Sequence, residues 1–363
     1  ASCANLGSGF DCLGLAVGIW NDLIVEEADK EQIIIHGEGA DELPRDHSNL
    51  VVCGFEAVLA RLQLSRAKLP HFRFTCYNRI PVARGLGSSC AAVVAGIVAG
   101  TALAPFLQRK CAVYDARMRE GRKAEGAERD ATLFAMEGEW LHQAGLAVEV
   151  CDESFLLKLA CDLESPRPSR ELPKVGDDWL ARRVPLPANL KCVLFVPEDR
   201  IETSKARAVL PKTVSLADAV YNSSRTALLV NTMSTAAAAS VMAECAEDGS
   251  AAKAADAVED ILYRVLQDAM DDKLHQSYRE SLNPHMAQMM EAALRAGALG
   301  VCLSGAGPSI LALAMQHYAG EIAEALESAA KECKKKGVVL VVDPTVEGAH
   351  TVPLAKKDDT DGW

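Results

Sequence analysis

The stretch from Phe72 to Leu103 limits what this chain can fold into more than any other. Phe72, Phe74 and Cys76 alternate with Arg73, Thr75 and Tyr77, the period of two that marks a half-buried strand. Pro81 ends the strand and Gly85-Leu-Gly87 turns the chain. Ser88-Ser89 then caps an uncharged helix, predicted over residues 89–103. A strand, a glycine turn and a serine-capped helix aim free backbone N–H groups and the positive helix end at one anion. The glycines let the backbone approach a phosphate, and a serine hydroxyl can reach that phosphate or its Mg²⁺. No Gly-Lys-Ser/Thr follows, so this is not a Walker loop. Alone, the same residues would serve equally as a glycine turn that starts a core helix.

Ser88 to Leu107 carries no charge and approaches the ~20 residues that a membrane span needs. It is mostly Ala, Gly, Ser and Thr, with Pro105 near its end, and a core helix apolar all round is the expectation. The whole chain of 363 residues is long enough for two domains. Its 49% hydrophobic and 24% charged residues are those of a globular protein. A net charge of −12 argues against nucleic-acid or anionic-membrane partners, which need a positive field. An anionic ligand must therefore be held locally, by backbone amides, a metal ion and a few arginines. The 12 cysteines include no Cys-x-x-Cys pair, and Cys76, Cys90, Cys192 and Cys302 lie in apolar runs, as reduced, buried thiols do. The eight histidines are scattered, which excludes a zinc motif.

Strands are expected over 23–26, 32–36 and 72–77, with a helix over 51–62. The mixed charges of 109–130 read as a solvated helix face or surface insertion. Residues 163–178, rich in Pro, Ser and charge, read as a linker. Beyond it come a strand at 191–196 and Ala-rich helix over 216–271, broken near Asp248-Gly-Ser250. A helix at 284–296, strands at 300–304 and 309–314, a helix at 320–335 and a strand at 338–342 follow. This alternation around a hairpin predicts an α+β sandwich, one sheet with helices on one face. The expected division is residues 1–180 and 181–363.

Two further glycine elements join the first: Asn5-Leu-Gly-Ser-Gly-Phe-Asp11 at the start and Leu303-Ser-Gly-Ala-Gly-Pro-Ser309 late in the chain. A plain hairpin would need only two turn residues where the late element has more. In this order the trio resembles the GHMP kinases, and among them most closely the homoserine kinases. The opening of that family stands here as Ser2-Cys-Ala-Asn-Leu-Gly-Ser-Gly-Phe-Asp-Cys-Leu-Gly14. The likeness continues through Asn49-Leu-Val51, Thr203-Ser-Lys-Ala-Arg207, His275-Gln-Ser-Tyr-Arg279 and 304–309.

The resemblance implies an N-terminal domain like the second domain of ribosomal protein S5 and a ferredoxin-like C-terminal domain. ATP and substrate would lie in the cleft between them. It also implies ATP-dependent transfer of the γ-phosphoryl group to the side-chain hydroxyl of L-homoserine. Asn5 and Asp11 would hold the amino acid, with the Asp11 carboxylate toward its ammonium. Arg207 and Arg279 would receive its carboxylate, a task suited to guanidinium forks, and Gly305 would line the same site. Asn49, Pro81, Arg84, Gly85, Leu86, Gly87, Ser88 and Ser89 would hold ATP. Ser89 and Glu139 would bind Mg²⁺, and Thr203 would stand near the transferring phosphate.

Read as residues alone, these remain open to plainer roles: Asp11 a turn residue, Asn49 a helix cap, Glu139 a solvated glutamate, the arginines surface ion pairs. The His-x-Asp-Asn segment of the family is not found after Glu139, where Trp140 to Asp152 stands instead. Two alternatives therefore remain: a GHMP kinase for mevalonate-type, sugar or shikimate acceptors, or a non-catalytic binding relative. A cytoplasmic protein is expected, with a homodimer left open. The chain begins at Ala1 without Met, so missing residues are expected ahead of it, a plastid leader among the options.

Overall fold

The computed structural model describes residues 1–119, 174–175, 178–179, 183–244 and 251–352. The elements in chain order are β1 (Ser2–Ala4), β2 (Gly14–Ala16), β3 (Asp22–Ala28), β4 (Gln32–Gly37), α1 (Leu50–Arg61), β5 (His71–Asn78) and α2 (Ser88–Arg119). Then come β6 (Leu190–Pro197), α3 (Thr203–Ala208), α4 (Leu216–Glu244), α5 (Ala251–Ala269) and α6 (Gln276–Arg279). Last are α7 (Met286–Arg295), β7 (Gly300–Leu303), β8 (Ile310–Met315), α8 (Ala319–Glu332) and β9 (Gly337–Val342).

These elements form two compact units, and neither is a continuous half of the chain. One holds Ala1–Trp20, Arg79–Ser88 and Arg182–Val346; the other holds Asn21–Asn78, Ser89–Ala181 and Glu347–Trp363. The expected division at residue 180 follows chain order, whereas the opening segment and the glycine loop fold with the later residues.

In the second unit β5 is the central strand, antiparallel to β3 and parallel to β4. Its alternation is realised: Phe72, Phe74 and Cys76 point into a core with Ile33, Ile35, Phe55 and Leu59. Phe55 meets Phe72 and Phe74 edge to face, each at 5.3 Å, a favoured aromatic geometry. Burial pushes the Cys76 thiol up to about 11, so it packs as an apolar group.

The α2 helix runs well past the predicted end at 103, straight through Pro105. It is buried along one stripe rather than all round. The buried residues of its apolar stretch Ser88–Ala116 include Val93, Ile97, Leu107 and Cys111. The small residues have a local reason. A Cβ on Gly96 would lie 2.0 Å from the Val51 carbonyl oxygen, and one on Gly54 2.3 Å from that of Val93. Glycine at these points is what lets α1 and α2 approach. Both α2 and Leu216–Ala243 of α4 are long and apolar enough to cross a membrane by length and composition.

In the first unit the sheet order is β9-β6-β8-β7, antiparallel throughout. Val193, Phe195, Ile310, Ala312 and Ala314 pack on Met289 and Ala293 of α7 and on Ile322 and Leu326 of α8. The alternate residues Cys192, Leu194, Cys302, Leu311 and Leu313 are also fully buried. The second face of the sheet is therefore buried as well as the face under α7 and α8. A strand buried on both faces reads as a continuous apolar run, as Ile310–Met315 does. The Ala-rich region divides as predicted, with α4 ending at Glu244 and α5 starting at Ala251.

Candidate active site

All three glycine elements meet within the first unit. The opening segment leaves β1 through Asn5, Leu6 and Gly7, each at positive φ, and Asp11 adopts the same region at +56°. Asn and Asp enter it at lower cost than other side chains, because their short polar groups bond locally. Here the Asp11 N–H donates to Asn5 Oδ1 at 3.0 Å and the Asn5 N–H to the Leu13 carbonyl at 2.8 Å.

The glycine loop reaches this segment through its backbone, the Ser2 N–H donating to the Leu86 carbonyl at 3.1 Å. The late turn connects to both. Ser304 Oγ donates to the Gly85 carbonyl at 2.7 Å, the Gly305 N–H to Ala4 O at 3.0 Å, and Asn5 Nδ2 to Gly305 O at 2.8 Å. Gly85 and Gly87 sit at φ +79° and +72°. A Cβ at Gly85 would fall 2.2 Å from the Ser304 carbonyl oxygen, and one at Gly87 2.3 Å from Ser2 Oγ. Close approach between loops thus requires glycine at both positions. Ser88 and Ser89 are the first helical residues of α2 rather than residues ahead of it.

Two arginines stand beside this junction. Arg207, on α3, makes a two-point contact with Asp11, Nη2 to Oδ1 at 3.0 Å and Nη1 to Oδ2 at 3.3 Å. Thr203 lies one turn earlier on the same short helix, and Ile201 just before it donates to the Ala83 carbonyl at 3.0 Å. Arg279, on α6, is 1% exposed. Its Nη1 donates to Gly305 O at 2.9 Å and Nε to Ala206 O at 3.2 Å. Burial above all, and the nearby Arg207 charge, pull its pKa down to about 10, against the pull of Asp11 and Asp272. It is still a cation at neutral pH.

A supporting layer lies beneath, and it escaped the reading of the sequence. Asp272 Oδ2 accepts the N–H groups of His275 at 2.9 Å and Gln276 at 2.7 Å; its Oδ1 accepts from Asn222 Nδ2 at 2.8 Å. Asn222 Nδ2 also donates to Ser8 O at 3.1 Å, and Gln276 Oε1 accepts the Leu303 N–H at 2.7 Å. An Asp a few residues ahead of a helix is a recognisable capping signal. Nothing in Asn222 singles it out along an Ala- and Ser-rich helix.

Of the expected site residues, Asn5, Asp11, Arg207, Arg279, Gly305, Pro81 and Arg84 to Ser88 belong to the first unit. Asn5 is 6% exposed, with both amide groups already bonded to the protein. Asn49 belongs to the second unit, where it caps α1, Oδ1 accepting from the Val51 N–H at 3.0 Å and Nδ2 donating to Pro44 O at 2.7 Å. Glu139 and the residues up to Asp152 lie outside the described residues.

Among the described residues no three His, Cys, Asp or Glu side chains gather to hold a metal. A nucleotide-bound Mg²⁺ keeps its waters and phosphate oxygens and takes only one or two protein ligands. The hydroxyl of Ser89 is a donor of that kind.

Comparison with known proteins gives a consistent result. Residues 49–137 match the GHMP kinases N terminal domain, and residues 260–332 match GHMP kinases C terminal. The homoserine kinase of Desulfitobacterium hafniense is 32% identical over 354 residues, 97% of this chain and 98% of that protein. That of Moorella thermoacetica is 34% identical over 312 residues, 86% and 84% of the two chains. Among solved structures, homoserine kinase from Cytophaga hutchinsonii superposes with a TM-score of 0.60 at 25% identity, covering 95% of this chain and 92% of its own.

Proposed function

The chain belongs to the homoserine kinase family of the GHMP kinases, and from that membership we propose how its own residues carry the reaction. The enzyme transfers the γ-phosphoryl group of ATP to the side-chain hydroxyl of L-homoserine, giving O-phospho-L-homoserine and ADP, a step toward threonine. The bond between the γ-phosphorus and the bridging oxygen breaks, and that oxygen leaves with ADP. A bond from phosphorus to the homoserine oxygen forms, and the hydroxyl proton is released to solvent.

The observation that carries the site assignment is the Asp11, Arg207 and Arg279 cluster beside the joined glycine loops. One carboxylate and two guanidinium groups match a zwitterion, an ammonium to Asp11 and a carboxylate to the arginines. Asp11 and Arg207 pair with each other, and the amino acid adds its ammonium beside the one and its carboxylate beside the other. Asn5 holds Gly305 and the Asp11 backbone in place, and its remaining amide hydrogen and lone pair face the substrate. Thr203, one turn from Arg207, presents its hydroxyl toward the transferring group.

For the nucleotide, the residues are Pro81, Arg84, Gly85, Leu86, Gly87 and Ser88, with Asn49 and Ser89. Glycines at positive φ and the first turn of α2 supply backbone N–H groups suited to phosphate oxygens. Ser89 and Glu139 are the residues that would hold Mg²⁺, which neutralises charge on the β- and γ-phosphates when bound. No His or Lys in these elements is placed as a base. Asp11 already faces one cation and would face a second in the complex, which makes it a poor proton acceptor. The rate enhancement then comes from alignment and charge stabilisation.

In chain order we assign residues 1–180 to the N-terminal, ATP-binding domain and 181–363 to the C-terminal domain. The nine described cysteines are free thiols, the state a reducing compartment maintains, and the cytoplasm is the proposed location.

The test is ADP formation with L-homoserine, mevalonate, galactose and shikimate as acceptors. Turnover with homoserine alone is expected. Preference for another acceptor would reassign the substrate, and ATP binding without turnover of any would make the protein a non-catalytic relative.

A further inference from the structure

His275 is completely buried and is used by none of the steps above. Its ring joins two parts of the substrate site. Nε2 lies 2.9 Å from the Gly7 carbonyl oxygen, in the positive-φ turn of the opening segment. Nδ1 lies 3.1 Å from Nη1 of Arg279, one helical turn later in sequence. The Phe10 ring stacks on the imidazole at 5.0 Å and 22°, next to Asp11.

The partners determine the protonation state. A guanidinium N–H can only donate, so Nδ1 must present its lone pair; a carbonyl can only accept, so Nε2 must carry the hydrogen. Only the neutral Nε2–H tautomer satisfies both. The same Nη1 also donates to Gly305 O, so the His275 ring helps set where the guanidinium points.

We propose that neutral His275 is a positioning residue that aims Arg279 at the substrate carboxylate and ties that aim to the Gly7 turn. This rests on Arg279 receiving the carboxylate, as assigned above. Protonation would place a hydrogen on Nδ1 facing the guanidinium, break that bond and set two cations side by side. Besides the two partners themselves, three charged groups bear on the pair. Asp272, on the preceding turn with Oδ2 at 3.7 Å from Nε2, and Asp11, in the opening segment, favour the protonated ring. Arg279, on α6, opposes it, and Arg207, on α3, acts on Arg279. Burial outweighs the carboxylates and lowers the His275 pKa below its ordinary value. The unfolded chain then binds the proton more readily. Stability is full above the unfolded pKa of about 6.5 and falls as pH drops below it toward the folded value.

The test compares His275→Asn with His275→Leu in steady-state kinetics and as a function of pH. The Asn Oδ1 can stand in for the Nδ1 acceptor, whereas Leu fills the space without one. Loss of a hydrogen bond to a buried charge predicts a rise of roughly tenfold or more in the homoserine KM of His275→Leu, with ATP KM within about twofold. His275→Asn is expected to stay within about threefold of the parent, because the acceptor remains. The parent should lose homoserine affinity in acid more steeply than His275→Asn, which has no imidazole to protonate.

Equal impairment of both variants, an equal rise in both KM values or no change at all would overturn the proposal. If His275→Leu does not fold, ¹⁵N-histidine spectra of the parent decide. An Nε2–H ring whose Nδ1 signal moves on homoserine addition is expected; a ring that titrates freely and ignores homoserine overturns the idea. Failure to phosphorylate homoserine at all would instead sink the site assignment on which the proposal stands.

Discussion

Replacing Arg279 by alanine should raise the homoserine KM by roughly 100-fold, with the ATP KM changed about twofold at most. Truncating one partner of a buried, hydrogen-bonded charge pair costs about 2–5 kcal/mol, and one tenfold step corresponds to about 1.4 kcal/mol. The prediction is specific because of what Arg279 touches. It is among the largest fully buried side chains, and its fork serves Gly305 O, Ala206 O and His275 Nδ1 together. Alanine therefore leaves three buried acceptors short as well as removing the carboxylate receptor, so Tm should fall too. Arg279→Lys separates these effects. It keeps the charge but cannot present a planar fork to three acceptors, and its KM should lie between those of parent and alanine variant. A homoserine KM unchanged in Arg279→Ala would remove this residue from the site.

The second large effect is expected from Gly85→Ala. A β-carbon there would stand 2.2 Å from the Ser304 carbonyl oxygen and 2.9 Å from that of Gly307, in a backbone at φ +79°. Both obstacles are main chain, so no side-chain rotation relieves them. A left-handed conformation costs an L-residue about 1–2 kcal/mol and overpacking about 1–3 kcal/mol more. Chemical denaturation should thus show a loss of roughly 3 kcal/mol or a shifted loop that preserves stability. In either case the glycine loop and the late turn separate, and turnover should fall by roughly 100-fold or more, since small misplacements of reacting groups are that damaging. Gly320→Ala is the control. It lies in the first turn of α8 with nothing within 4 Å of the added carbon, and should be neutral or stabilise by up to about 1 kcal/mol. Equal behaviour of the two variants would refute the close-approach role of Gly85.

Elements with a strong period were legible from the sequence, and their ends were not. The β5 strand was readable because Phe72, Phe74 and Cys76 face one core while their neighbours do not. The α2 helix ended 16 residues later than its predicted end at 103, as the structure carries it to Arg119. Pro105 suggests an end, yet a proline inside a long helix forfeits one backbone bond and tertiary packing overrides it; Leu107, just beyond, is fully buried. Covering of both sheet faces in the first unit could not be read from alternation, because Ile310–Met315 is apolar throughout and carries no face signal.

The site residues divide in a similar way. Gly85, Gly305, Asp11 and Arg207 stand in motifs whose spacing carries them. The discontinuous makeup of the first unit was hidden, because contacts such as Ser2 with Leu86 and Asn5 with Gly305 span long stretches of chain. His275 could have been noticed as the residue that leads into α6, four positions before Arg279. Its partner Gly7, 268 positions away, could not.

Asp11 and the two arginines, so assigned, select a zwitterion carrying a hydroxyl. The most direct measurement is kcat/KM for L-homoserine against two truncated acceptors under saturating ATP. One is 4-hydroxybutanoate, which lacks the ammonium; the other is 3-aminopropan-1-ol, which lacks the carboxylate. Each omission leaves a charged side chain without its counterpart, so both analogues should fall by roughly 100-fold or more. Phosphorylation of either analogue as fast as homoserine would show that these three side chains do not select the zwitterion.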